Sequence, residues 1–279
     1  MNSLFIEPGL PFDTQKLMQL LQKLALEARL EVDVVQLANK EELPQKLEQA
    51  IAKNPDTIIA LGGFSWLDTI ISESCRLSHA GPNETPIFAH ISPPEKLALT
   101  WRIAPYMERG LKRSMQAIAA RKITEQKAFV CADTIWFTHT LRIKNDTSSE
   151  APSRFLVSTP NGSELRIDAP VELVTISVHE DITSREQHII TITAEKRHTI
   201  HTTKLQEKDA NLLEKKLKTR TVQKTTEDVF HIQASRIDVH TPHRFASEAF
   251  SKNLPEKFRI EPAQFSIKMI TEKNDILKY

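Results

Sequence analysis

Glycine is rare in this chain, with six residues among 279. A Gly-rich linker and a collagen-like repeat are both excluded, and any clustering of so few glycines becomes informative. Cysteine is rarer still: Cys75 and Cys131 are too few for a disulfide framework and stand in no metal-ligand spacing such as Cys-x-x-Cys. Reduced thiols and a cytoplasmic setting are the expectation. No run of about 18 apolar residues occurs, and residues 1–12 lack the basic and then apolar pattern of a secretory leader, so a transmembrane segment is not expected. An excess of one charge is also missing. The 37 Lys and Arg against 36 Asp and Glu leave a net charge of +1, which offers no global attraction to nucleic acid or to an anionic membrane. What remains is a chain long enough to bury a sizeable core, and two domains are expected.

The first half alternates short apolar runs with helical periodicity. Residues 2–6 form an apolar run; Asp13 or Thr14 can then cap a helix from Gln15 to near Arg29, with Leu17, Leu20, Leu21, Leu24 and Leu26 on its apolar face. Residues 30–37 read as a strand, 45–53 as a helix, 57–61 as a strand, 65–78 as a helix and 87–91 as a strand, an alternation that implies a parallel sheet. The helix 106–121 carries Met107, Leu111, Met115 and Ile118 at helical spacing and closes this half. Beyond Glu125 the pattern changes to short alternating runs at 135–144, 154–158, 164–167, 173–178, 188–194, 229–232 and 236–240, as in an antiparallel sandwich. Between them, residues 204–227 are rich in Lys and Glu. Leu205, Leu212, Leu213 and Leu217 could line one side of an amphipathic helix there; the stretch reads first as a solvated excursion, and its basic excess could alternatively meet lipid headgroups or another protein. The expected fold class is α/β plus β. An N-terminal parallel α/β domain spans 1–124 and a C-terminal antiparallel β-sandwich domain spans 125–261, with 262–279 able to return to the first domain.

One stretch concentrates the chemical signal: Asp56-Thr57-Ile58-Ile59-Ala60-Leu61-Gly62-Gly63-Phe64-Ser65-Trp66. It reads as a buried strand, a tight turn and a helix start. Adjacent glycines after an apolar run predict a positive φ or close approach to a ligand, the arrangement by which phosphate-cradling turns are built.

This order of parts resembles the bacterial diacylglycerol kinase-type lipid kinases, relatives of sphingosine kinases and more distantly of NAD kinases. In that family a first strand ends in Asn-Pro, a second in Gly-Gly-Asp-Gly-Thr and a third in Gly-Thr-x-Asn-Asp, and a β-rich domain with an Asp-Gly-Glu turn follows. Here the corresponding stretches are Ile6-Glu7-Pro8-Gly9, Gly62-Gly63-Phe64-Ser65-Trp66, the segment 91–98 with Pro93 and Pro94, and Ala246-Ser247-Glu248. The resemblance covers nearly the whole chain and implies ATP and Mg²⁺ as cofactors. It places Gly62, Gly63, Phe64 and Ser65 at the nucleotide phosphates and Glu248 as the surviving candidate for base or metal network. It also implies a lipid or nucleotide ligand in the cleft between domains and contact with a membrane surface.

The departures from the family pattern bear on activity. Phe64 replaces the acid of the second motif and can neither ligate Mg²⁺ nor accept a proton. Ser65 replaces its next glycine and would be strained by about 1 to 2 kcal/mol in a left-handed turn. Pro93 and Pro94 remove two backbone donors, and Ala246 replaces the third acid. Losing one positioned electrostatic group costs roughly 10²- to 10³-fold in rate, so the pattern implies a catalytically degenerate member. The alternative is an active ATP-dependent lipid kinase in which other acids substitute.

A second enzyme class shares the same turn. Gly63-Phe64-Ser65-Trp66-Leu67 approaches the Gly-x-Ser-x-Gly elbow of α/β-hydrolases, with Ser65 as nucleophile, although Leu67 fills the last glycine position. Among the histidines, His198 and His201, and likewise His240 and His243, are three apart. That spacing suits a helix face but falls on opposite sides of a strand, so no metal site is expected. Asp133 reads as a surface acid, and Trp66, Trp101 and Trp136 as core or groove-lining residues.

Overall fold

A computed structural model of the chain describes residues 1–10, 14–77, 86–92, 105–145, 151–180, 188–200, 223–242, 244–247 and 253–270. In the first half, β1 (Asn2–Ile6), β2 (Val32–Val35), β3 (Thr57–Leu61) and β4 (Ile87–Ile91) pair in parallel in the order β2-β1-β3-β4. Every residue of β1 and β3 is buried, because helices cover both faces. On one side α1 (Thr14–Glu27) and α4 (Pro105–Ala120) set Leu17, Leu21, Leu24, Leu111 and Met115 against Leu4, Ile59 and Ile91. On the other, α2 (Leu43–Ala52) and α3 (Phe64–Leu77) set Leu47, Trp66 and Ile70 against Phe5, Ile58 and Phe88.

Helix ends show how a glycine-poor chain stops its helices. Arg29, Asn54 and Arg121 follow α1, α2 and α4 with φ of 58°, 51° and 48°, where glycine is the usual choice. After α1, Leu30 N–H donates to Ala25 O and Arg29 N–H to Leu26 O, the paired bonds of a Schellman cap.

The second half forms a sandwich. Its strands are β5 (Ile123–Cys131), β6 (Ile135–Phe137), β7 (Thr140–Asn145), β8 (Ser153–Ser158), β9 (Glu164–Ala169), β10 (Leu173–Glu180), β11 (His188–Ile200), β12 (Gln223–Ala234), β13 (Arg236–His240), β14 (Phe245–Ser247) and β15 (Lys257–Ile270). One layer is the antiparallel sheet β12-β11-β10-β7-β14. The other is the run β15-β13-β8-β9, and Phe129, Ile143, Phe155, Ile176, Ile192 and Ile260 fill the space between the layers. The long strand β15 joins the two halves. It pairs antiparallel with β13 through Lys257–Ile260 and ends parallel to β4 through Met269 and Ile270, so ten strands share one sheet. Pro262, which has no N–H to give, lies at the register shift between 262 and 266, where the ladder with β5 is interrupted.

The structure corrects several expectations. The single strand expected over 135–144 is two strands, β6 and β7, separated at Thr138 and His139 by contacts to α3 described below. Residues 223–227 lie in β12, paired with residues 196–200 of β11, and not in a helix; the remainder of 204–227 falls outside the described residues. Two strands were not foreseen. β5 carries Glu125, Gln126 and Lys127 on a half-covered surface, and β14 is only three residues long.

Candidate functional site

The C-terminal ends of β1, β3 and β4 converge at the start of α3, the edge of a parallel sheet where ligand sites of α/β folds form. Glu7 follows β1, Gly62 and Gly63 follow β3, and His90 lies on β4. Neither glycine has a positive φ. Gly62 is required for a different reason: a Cβ there would lie 2.6 Å from Glu7 Oε2, 2.7 Å from Glu7 Cβ and 2.7 Å from Trp66 Cδ1. Close approach is therefore made by this chain's own side chains. Gly63 is less constrained, since its Cβ would come no nearer than 3.6 Å to any atom.

The polar groups of the turn are engaged internally. Gly62 N–H donates to Ile91 O at 3.1 Å, and its carbonyl lies 2.8 Å from His90 Nε2, which donates to it. Gly63 N–H donates to the Glu7 carboxylate at 2.8 Å. Glu7 is held for this by its own N–H, which donates to Leu61 O at 2.9 Å. A carboxylate at the N-terminus of α3 is favoured by the helix dipole by roughly 0.3 to 1 kcal/mol. A phosphate oxygen about 4 Å from that carboxylate would meet about 4 kcal/mol of repulsion at an effective dielectric of 20, more than the dipole gives back. The turn as built does not fit the phosphates of ATP.

Phe64 opens α3, so neither it nor Ser65 sits in a left-handed turn and the strain expected at Ser65 does not arise. The Phe64 ring, 38% exposed, lies 4.5 Å from the His90 ring and 4.3 Å from the His139 ring, stacked on the latter at 27°. One helical turn further on, Asp68 is buried and accepts from Thr138 N–H at 2.7 Å, Thr138 Oγ1 at 2.8 Å, His139 N–H at 3.2 Å and Thr140 N–H at 3.3 Å. This clamp breaks the strand between β6 and β7 and fixes the sandwich to α3. Because Thr138 Oγ1 gives its proton to Asp68, it accepts from His139 Nδ1 at 2.8 Å. Sequence reasoning missed Glu7, Asp68, His90 and His139. The only signal available was that all four polar residues adjoin apolar strand or helix runs.

Of the other candidates, Glu248, Pro93, Pro94, Trp101, His201 and His243 fall outside the described residues. Ala246 and Ser247 belong to β14, paired with Lys144 and Ile143 of β7, and not to an open turn. Ser65 is exposed and makes no hydrogen bond to a histidine or carboxylate among the described residues. Asp133 lies in the β5–β6 turn, His240 is exposed on β13, Trp66 is buried, and Trp136 packs against the core under α3. Among the described residues no group of three His, Cys, Asp or Glu could hold a metal ion, and no helix is long and apolar enough to cross a membrane. A cleft beside Glu7, lined also by Pro8, Gly9, Gln36 and Leu37, has a volume of about 40 Å³, room for a few waters.

No family model and no curated protein sequence matches this chain. Solved structures do. A diacylglycerol kinase from Bacillus anthracis strain Sterne superposes with a TM-score of 0.54 at 15% identity, covering 98% of this chain and 97% of its own. A diacylglycerol kinase candidate from the same strain gives 0.58 at 16% identity over 98% and 97%, and another gives 0.58 at 13% over 98% of both chains. At these identities the likeness is one of fold, end to end. The chain has the two-domain fold of the diacylglycerol kinase-type lipid kinases.

Proposed function

We propose that this chain is a lipid-kinase-fold protein without efficient phosphoryl transfer, which binds a lipid beside α3 and works through binding. The observation that carries the reading is the Glu7 carboxylate seated 2.8 Å from Gly63 N–H, where the family resemblance puts a nucleotide phosphate. Phe64 at the place of the family's acid supports it, because an aromatic ring supplies no ligand to Mg²⁺. An active kinase would have to expel Glu7 and recruit a carboxylate from elsewhere. The test is transfer of radiolabelled γ-phosphoryl from MgATP to diacylglycerol in mixed micelles, run beside flotation of the protein with vesicles containing that lipid. Flotation without label transfer is expected. Stoichiometric labelling of the lipid over many turnovers would overturn the reading.

A further inference from the structure

The ten-stranded sheet ends at β9, and among the described residues nothing pairs with the outer edge of that strand. We propose that this edge joins the same edge of a second copy of the chain, antiparallel about a two-fold axis at Ile167, so that one sheet runs through a dimer.

Thr159 N–H donates to Ser163 O at 2.8 Å and Gly162, with φ of 84°, closes the turn, so Thr159 and Ser163 are a hydrogen-bonded pair. Hydrogen-bonded pairs alternate along an antiparallel ladder. In the register of Val157 with Leu165 and Phe155 with Ile167, those pairs bond within the hairpin, and the N–H and C=O groups of Glu164, Arg166 and Asp168 point outward. Ser235 N–H donating to Ser158 O on the far side of β8 fits the same alternation. A two-fold at Ile167 then brings Arg166 opposite Asp168 of the partner copy, twice, as hydrogen-bonded pairs with opposite charges facing; within one chain Asp168 already accepts from Arg154 at 2.9 Å and Arg166 at 3.0 Å, and the pairing across the axis exchanges the Arg166 half of that cluster between copies.

Other registers that use the outward groups are worse. Centred on Arg166, that residue meets itself and Glu164 meets Asp168. Centred on Leu165, Arg166 does meet Glu164, but the overlap runs into the turn and Asp168 faces Gly162. In the register at Ile167 the inner face is apolar: Ile167 meets its own copy, and Leu165, 44% exposed in one chain, meets Ala169. Charges on an edge strand ordinarily prevent edge pairing; here the alignment at Ile167 sets opposite charges face to face without running into the turn.

The test is sedimentation equilibrium of the full chain with two single variants. Wild type is expected to sediment as a dimer. Arg166→Asp or Asp168→Arg alone should weaken the dimer at least tenfold, whereas an equimolar mixture of the two variants should dimerise again, because each then presents the charges the other lacks. Melting curves establish that both are folded. As an independent readout, Ile167→Cys lies on the axis in a non-hydrogen-bonded pair, with Cα atoms about 4.5 Å apart, within disulfide reach. It should give a linked dimer on mild oxidation, while Leu165→Cys and wild type should not. A monomeric wild type, a mixture that stays monomeric, or linkage through Leu165→Cys in place of Ile167→Cys would overturn the proposal.

Discussion

Gly62 and Gly63 look alike in the sequence and differ in the structure. A methyl group at Gly62 would collide with Glu7 and Trp66, neither of which is a flexible surface end, so Gly62→Ala should destabilise by about 1 to 3 kcal/mol. Gly63→Ala should stay within about 1 kcal/mol of wild type; urea denaturation of the pair checks both. That the turn was special was legible from glycine scarcity. Its occupant was not, because Glu7 is 56 residues away in sequence from Gly63 and reads locally as an ordinary loop acid. Cys75 and Cys131 are free thiols, and burial has a consequence for them. It pushes the Cys75 thiol up to about 12 and, with the Asp133 charge nearby, raises Cys131 as well. At pH 8 the native protein should leave Ellman's reagent unreacted, and both thiols should titrate once it is unfolded. Asp238 gives the pH prediction. Burial raises its pKa, but hydrogen bonds from Arg259 and Arg236 and their charges outweigh burial and lower it. A lowered folded value stabilises above the ordinary carboxylate range, and that stability is lost as pH falls through the folded value. Wild type should therefore lose more stability below pH ~4 than Asp238→Asn, as followed by acid titration of the denaturation midpoint.

Elements of the first half were legible because their signals are local and mutually consistent. The strands 57–61 and 87–91 match the sequence reading residue for residue, and helix ends differ by one or two residues. The strands that escaped notice are those whose pairing is set at a distance. β5 is polar at its start and is held by β15, more than 100 residues later, so its own alternation is weak. The break between β6 and β7 depends on Asp68, which belongs to a helix 70 residues earlier. The β5–β6 hairpin turn is also informative: Ala132 and Asp133 take φ of 51° and 58°, where Asn-Gly is the usual pair. A left-handed alanine costs about 1 to 2 kcal/mol, so Ala132→Gly should stabilise by up to about 1 kcal/mol after the entropy of the unfolded glycine is counted. A rise in thermal midpoint would confirm this; a fall would mean that packing of Ala132 against the sandwich core outweighs backbone relief.

At the scale of the whole molecule, β15 and the Asp68 clamp make the two halves one body: one continues the parallel sheet into the sandwich, and the other anchors the sandwich loop to α3. The architecture was legible as a sequence of parts, and its likeness to diacylglycerol kinases extends over 98% of the chain. The site was legible only as a location. Whether the turn after β3 accepts phosphate is decided by Glu7, which the fold brings there and no local pattern announces. The most direct measurement is calorimetric titration of MgATP into wild type and Glu7→Gln. No saturable, Mg²⁺-dependent heat is expected for wild type at millimolar nucleotide, with any affinity emerging only when the carboxylate is neutralised. Saturable MgATP binding to wild type, unchanged in Glu7→Gln, would contradict it.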